Sequence, residues 1–291
     1  MYKSATAFIV NPKAGISNKK SLFTSLQDIS QQHKDWHIFQ TMYAGHASEL
    51  ASDFAKKGFG KIIAVGGDGT VNEVARSLLH TKVAMGIIPS GSGNGLARHL
   101  GIPHDLNRAI SFIEKGQSID MDAGVVNDSH YFFCTAGVGF DAQIGKLFAN
   151  AQRRGLATYL KTILEEYFTY KPQFYRIDVD GRCLERKALL ITMANASQWG
   201  NNAVIAPHAD TMDGLLDITI MYPFHPIEAA AVGIALITNN IEATGHTEFI
   251  KGSNIRIERM NPGVVHCDGE PIEMDSILEI KVLHKALTIL V

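Results

Sequence analysis

The run Ile62-Ile63-Ala64-Val65-Gly66-Gly67-Asp68-Gly69-Thr70-Val71-Asn72-Glu73 carries four apolar residues straight into a glycine-rich turn, and a helical pattern (Val71, Val74, Ala75, Leu78, Leu79) follows at once. That order reads as a buried strand, a tight turn and a helix start. Such a turn aims backbone N–H groups and the positive end of the helix dipole at an anion, usually phosphate. Its glycines tolerate positive φ and leave no Cβ between backbone and ligand. Asp68 is the odd member, because a carboxylate facing phosphate repels it unless a cation or a proton lies between. Mg²⁺ chemistry or a general base would account for it. The plain alternative is a glycine-rich turn with a solvated acid.

Other acids are less telling by themselves. Cys267-Asp268-Gly269-Glu270-Pro271 reads as a turn with solvated acids, and Asp122 can be a hairpin acid or a member of a functional site. Ala206-Pro207-His208-Ala209-Asp210-Thr211-Met212-Asp213-Gly214-Leu215 is acid-rich but lacks the spaced acids and terminal glutamate of an EF-hand, leaving an Asp-Gly turn as the simple reading. His33, His37, His99 and His208 show no HExxH or paired-ligand spacing and read as surface or packing residues.

The elements that must position these groups alternate through the first half. Strands are expected at 5–10, 37–41, 62–65 and 83–88, with helices at 21–32, from 45 to 57, at 71–79 and at 105–115. This alternation predicts a parallel, doubly wound sheet whose ligands lie beyond the carboxyl ends of its strands. Asn11-Pro12-Lys13-Ala14-Gly15, Thr41, the Gly66–Asn72 turn and Ser90-Gly91-Ser92-Gly93-Asn94 all fall at such ends.

Near residues 120–124 the pattern changes. Expected strands at 119–126 and 131–135 flank Asn127-Asp128, and those at 175–179 and 184–193 flank Asp180-Gly181, both hairpin signals. Further strands at 215–221, 254–259, 264–267 and 277–283 make a β-rich half, interrupted by helices at about 156–168 and 226–239. The first of these helices follows Arg153-Arg154 and suits packing on a sheet, a lipid pocket or a membrane surface. The division is therefore an α/β domain over 1–122 and a β-rich domain over 123–283, with the apolar tail in 284–291 free to rejoin either.

With 27 basic against 29 acidic side chains, net charge does not advertise nucleic acid or an anionic membrane as partner. Three distant cysteines give neither a disulfide framework nor zinc spacing, which suits a reducing compartment. The apolar run at 229–237 falls well short of the ~20 residues that span a bilayer. The expectation is a cytoplasmic protein that meets any membrane from outside.

Taken together and in order, the motifs resemble the diacylglycerol kinase catalytic-domain family of lipid kinases, which includes soluble bacterial diacylglycerol kinases, sphingosine kinases and ceramide kinases. The matching pieces are Asn11-Pro12-Lys13-Ala14-Gly15, Thr41 with Gly45-His46-Ala47, the Gly66–Glu73 run and Ser90-Gly91-Ser92-Gly93-Asn94-Gly95-Leu96-Ala97. Asp122-Ala123-Gly124, Gly139-Phe140-Asp141-Ala142, Asp213-Gly214-Leu215-Leu216 and Asp268-Gly269-Glu270 continue the series. The resemblance implies a nucleotide-binding α/β domain, a β-sandwich-like lipid-binding domain and ATP held in a cleft between them. Asn11, Pro12, Lys13, Thr41, Gly66, Gly67, Asp68, Gly69, Thr70, Val71, Asn72 and Ser92 would border the nucleotide.

By the same resemblance Glu270 is the proton acceptor, Asp68 a metal ligand or second acid, and Asp122 part of a water-bridged metal network. A structural Mg²⁺ would take the Asp213 side chain and the carbonyls of Asp210 and Leu215. Asp141 matches a position associated with the amino-alcohol head in sphingosine kinases. Gly-Ser-Gly-Asn stands closer to that branch than to the bacterial Gly-Thr-Ala-Asn form, so diacylglycerol and a sphingoid base both qualify as substrate. The implied function is an ATP- and Mg²⁺-dependent lipid kinase meeting its lipid at the membrane periphery, with Arg153, Arg154 and Lys161 as a candidate basic patch. A homodimer is compatible with this reading. The rivals are an NAD kinase, which shares Gly-Gly-Asp-Gly-Thr, and a nucleotide-responsive binding module without turnover.

Overall fold

Alternation of short apolar runs with amphipathic stretches builds the first part of the chain. The order is β1 (Thr6–Val10), α1 (Lys19–Ser30), β2 (Trp36–Gln40), α2 (His46–Lys57), β3 (Lys61–Gly66), α3 (Asp68–Leu78), β4 (Ala84–Pro89), α4 (Gly95–His99), α5 (Leu106–Lys115) and β5 (Ser118–Val126). The computed structural model describes residues 5–15, 19–149 and 165–291. It divides into two units, Met1–Ala123 with His284–Val291, and Gly124–Leu283.

In the first unit the strands run parallel in the order β2-β1-β3-β4, and Ile289 of the chain's last strand pairs in parallel with Met85 of β4. Both faces of β1 and β3 are covered, so these strands are almost continuously apolar and buried. Phe8, Ile63, Val65 and Ile88 pack with Leu26, Ile110 and Ile113 from the helices. Helix ends follow local chemistry. Gly58 stops α2 in the left-handed region at φ 85°, and Asp105 caps α5 by accepting from the Arg108 amide.

The second unit continues with β6 (His130–Phe132), β7 (Thr135–Gly139), α6 (Phe140–Ala149), β8 (Gln173–Val179), β9 (Arg182–Ala188), β10 (Leu190–Ala194), β11 (Leu216–Met221), α7 (Ala229–Ile237), β12 (Thr247–Gly252), β13 (Asn254–Arg259), β14 (Gly263–Cys267), β15 (Glu270–Met274) and β16 (Ile277–Leu290). One antiparallel sheet has the order β12-β11-β10-β7-β14-β15, and the other lines up β13, β8 and β9 beside the first half of β16. Ala136, Val138, Ile191, Met193, Ile218 and Val265 from the first meet Tyr175, Ile177, Ile255, Ile257 and Leu278 from the second in one core. On the outer face of the first sheet, Phe140 and Ile144 of α6 and Val232 and Ala235 of α7 pack on Leu190, Ala194 and Met221.

The strand expected at 184–193 is two strands. β9 pairs with β8 in one sheet, whereas β10 pairs with β7 and β11 in the other. The change falls at Leu189, where alternating exposure in Arg182–Ala188 gives way to the fully buried Leu190–Ala194. Helix α6 and strands β12 and β15 had no counterpart in the sequence reading. Most of the helix expected at 156–168, together with Arg153, Arg154 and Lys161, lies outside the described residues.

Candidate active site

Helix α3 organises the carboxyl edge of the first sheet. It starts directly from β3 with Gly67 as its N-cap, and no side chain caps it. A Cβ on Gly69 would meet only open space, so the first turn presents bare backbone. An uncapped helix start of this kind suits an anionic ligand.

Three α3 side chains then tie neighbouring loops to this turn. Buried Thr70 accepts from Asn11 Nδ2 at 2.9 Å, fixing the loop after β1, and Asn11 Oδ1 in turn accepts from the Lys13 amide at 2.9 Å. The two oxygens of Glu73 accept from the amides of Gly45 and Ala47 at 2.9 and 3.1 Å, holding the start of α2. Asp68 Oδ2 and Oδ1 accept from the amides of Asn94 and Gly95 at 2.9 and 2.8 Å, which fastens the loop after β4. Burial pushes the Asp68 carboxyl above its ordinary range, against the opposing pull of those two amides and of Arg98.

The loops also meet backbone to backbone. A Cβ on Gly15, at φ 80°, would lie 2.0 Å from the Ser90 carbonyl oxygen, and one on Gly91 would lie 2.5 Å from Gly67 Cα. Buried Asn94 shapes its own loop, accepting from the Gly91 amide and donating to the Gly91 carbonyl. Thr41 is buried and donates its amide to the Val10 carbonyl at 2.9 Å. Pro12, Lys13 and Ser92 are exposed, Gly66 and Val71 are buried, and Asn72 is half-buried. The loops after β1 and β4 are thus tied to one helix start, through Asn11 on Thr70 and through Asn94 and Gly95 on Asp68, while Thr41 is fixed to the end of β1. Asp122 is engaged differently. Fully buried, it accepts from the Lys285 amide at 2.6 Å and pairs with His284 Nδ1 at 2.8 Å, securing the returning tail.

In the second unit Glu270 opens β15, exposed, after a turn in which Asp268 and Gly269 have φ of 49° and 83°. These are the positive values of a type I′ hairpin. Asp268 is not merely solvated. Its carboxylate accepts from the amides of Phe133, Cys134 and Thr135 at 3.0, 2.8 and 3.1 Å, so the turn is fixed to the break between β6 and β7.

Asp141, at the start of α6, accepts from the Ala142 amide, and its Oδ2 lies 3.1 Å from His266 Nε2 and 3.4 Å from the Thr192 hydroxyl. His266 Nδ1 accepts from the Gly269 amide at 3.4 Å, which leaves the ring proton on Nε2, facing Asp141. This pair exists because Gly137 lies beneath it. A Cβ there would come within 2.4 Å of Asp141 Oδ2 and 2.5 Å of His266 Nε2. Gly137→Ala is therefore expected to cost about 1–3 kcal/mol through overpacking. A denaturant titration measures this, and an unchanged midpoint would show that the pair yields freely.

At the expected structural metal loop, Asp213 Oδ1 accepts from the Leu215 amide and Asp210 Oδ1 from the Met212 amide, as in Asx turns. Asp213 Oδ2 faces the Lys251 ammonium at 3.0 Å. The side-chain set does not fit a divalent ion, because a cation of the protein already stands there. Glu73, Asp268, His266 and Lys251 had no assigned role in the sequence reading. Glu73 belongs to the Gly66–Glu73 run and Asp268 to Asp268-Gly269-Glu270, so these two carried a local signal.

Both halves of the chain resemble known proteins. A profile of the diacylglycerol kinase catalytic domain matches residues 5–126, and one of the YegS C-terminal NAD kinase beta sandwich-like domain matches residues 134–291. The diacylglycerol kinase of Bacillus subtilis (strain 168) is 30% identical over 271 residues, covering 90% of this chain and 88% of its own. The chain belongs to the diacylglycerol kinase family of lipid kinases. "Probable lipid kinase YegS-like" of Klebsiella pneumoniae (strain 342) is 31% identical, covering 74% of this chain and 73% of its own. The crystal structure of a diacylglycerol kinase candidate of Bacillus anthracis str. Sterne superposes with a TM-score of 0.81 at 26% identity, over 98% of this chain and 96% of that one. The lipid kinase has no helix among its described residues that is long and apolar enough to cross a membrane.

Proposed function

We propose that this lipid kinase transfers the γ-phosphoryl group of ATP to a free hydroxyl of diacylglycerol or a close relative of it. The observation that supports this most is the attachment of three loops to the uncapped start of α3. A nucleotide's phosphates need fixed backbone donors on a rigid element, and phosphoryl transfer asks the protein mainly for position and charge neutralisation. In this reading Asn11, Pro12, Lys13, Thr41, Gly66, Gly67, Asp68, Gly69, Thr70, Val71, Asn72 and Ser92 border the nucleotide. Mg²⁺ carried with ATP supplies charge neutralisation at the phosphates. Asp68 is the carboxylate nearest that role, since each of its amide-bonded oxygens keeps a second lone pair. Glu270 accepts the proton of the attacking hydroxyl.

Asp141 bears on the choice of lipid. A receptor for an ammonium head needs a carboxylate with capacity to spare, whereas Asp141 is already engaged by His266, Thr192 and its neighbour's amide. That favours diacylglycerol over a sphingoid base and makes Asp141 a positioning residue. Labelled ATP supplied with diacylglycerol, monoacylglycerol, sphingosine or ceramide in mixed micelles tests the reading, with NAD as a further acceptor. Labelled phosphatidic acid is the expected product. Sphingosine phosphorylation alone would reverse the role given to Asp141, and labelled NADP without any lipid product would make the protein an NAD kinase.

A further inference from the structure

The loop in which the family resemblance implies a structural divalent ion holds instead an ammonium group. Lys251 Nζ donates to the His208 carbonyl and to Asp213 Oδ2, each at 3.0 Å, and stands 3.1 Å from Asp217 Oδ2. The contact with Asp217 is an ion pair whose angle falls short of a hydrogen bond, and that buried oxygen has no hydrogen-bond donor. Strand register delivers the lysine, because Lys251 of β12 lies directly opposite Asp217 of β11. One carbonyl and two carboxylates around a single positive centre make the arrangement that a hard cation would otherwise claim. Among the described residues no cluster of three or more histidine, cysteine, aspartate or glutamate side chains could hold a metal.

We propose that Lys251 is a built-in cation that takes the place of the structural metal. The 210–215 loop of this kinase is then held by a covalently supplied charge and does not depend on divalent ions. Removing the ammonium leaves Asp217 buried without a counter-charge beside Asp213, which is the situation a divalent ion can relieve.

Thermal melts of the nucleotide-free, full-length protein in EDTA, in millimolar MgCl₂ and in millimolar CaCl₂ test this without reference to activity. The wild type is expected to melt at the same temperature in all three. Lys251→Ala is expected to melt about 4–8 °C lower in EDTA and to recover part of that loss with MgCl₂ or CaCl₂. Lys251→Arg, which keeps a cation, should behave as the wild type does. A wild-type Tm that climbs with either ion, through a gain that Asp213→Asn abolishes, would overturn the proposal. So would a Lys251→Ala protein that melts with the wild type in EDTA. If Lys251→Ala does not fold, wild type against Asp213→Asn still decides the question.

Discussion

Replacing Glu270 with glutamine is expected to lower kcat for lipid phosphorylation by about 10²–10⁴-fold, the usual worth of a positioned general base. The Tm and the apparent affinity for ATP should not change. The separation is expected because Glu270 does not hold its own hairpin together. The turn is set by the positive φ of Asp268 and Gly269, and the Asp268 carboxylate anchors it through three amides. Glutamine keeps the size and the exposed position of the side chain but cannot take the proton. Steady-state kinetics with ATP and lipid varied separately, beside a melt of each protein, would check both halves. A Glu270→Gln enzyme with wild-type kcat would assign the proton to another acceptor, while a fall in Tm would show the side chain to be structural.

This contrast also shows what a sequence can disclose. The type I′ turns at Asn127-Asp128 and Asp180-Gly181 were legible because their chemistry is local, and both pairs of residues have positive φ. The parallel sheet and its four loops were legible because apolar periodicity and glycine clusters recur at regular intervals. The partners of Asp268 were not, because the amides it holds lie 133 to 135 residues earlier in the chain. A lone Asp-Gly pair looks the same whether its carboxylate is solvated or anchored.

His266 was hidden for a similar reason. Its meaning depends on Gly137 lying opposite it in the neighbouring strand and on Asp141 turning back over that glycine. Strand β15 was obscured by Pro271 and two acids within five residues, a composition that reads as loop until it is seen at the sheet edge beside β14. Lys251 escaped notice because one lysine in a strand carries no pattern. Register alone places it against Asp217.

Asp68→Asn is the second large effect expected, and it separates the loop clamp seen in the structure from the metal-ligand role that the resemblance implies. The aspartate receives the Asn94 and Gly95 amides on different oxygens. Asparagine has one acceptor oxygen, so its NH₂ would be turned towards the other amide, donor facing donor. Leaving that amide unsatisfied should cost about 1–3 kcal/mol of stability. The loop holding Gly91, Ser92 and Asn94 would then move relative to the start of α3, and a displacement near 1 Å at a phosphoryl-transfer site costs on the order of 10²-fold in rate. The expected outcome is a lower Tm in nucleotide-free protein together with a lower kcat/KM for ATP that added Mg²⁺ does not restore. If Asp68 acts only through a metal, Asp68→Asn should keep the wild-type Tm and shift the Mg²⁺ dependence of activity instead. The nucleotide-free melt therefore separates a loop clamp from a pure metal ligand before any substrate is added.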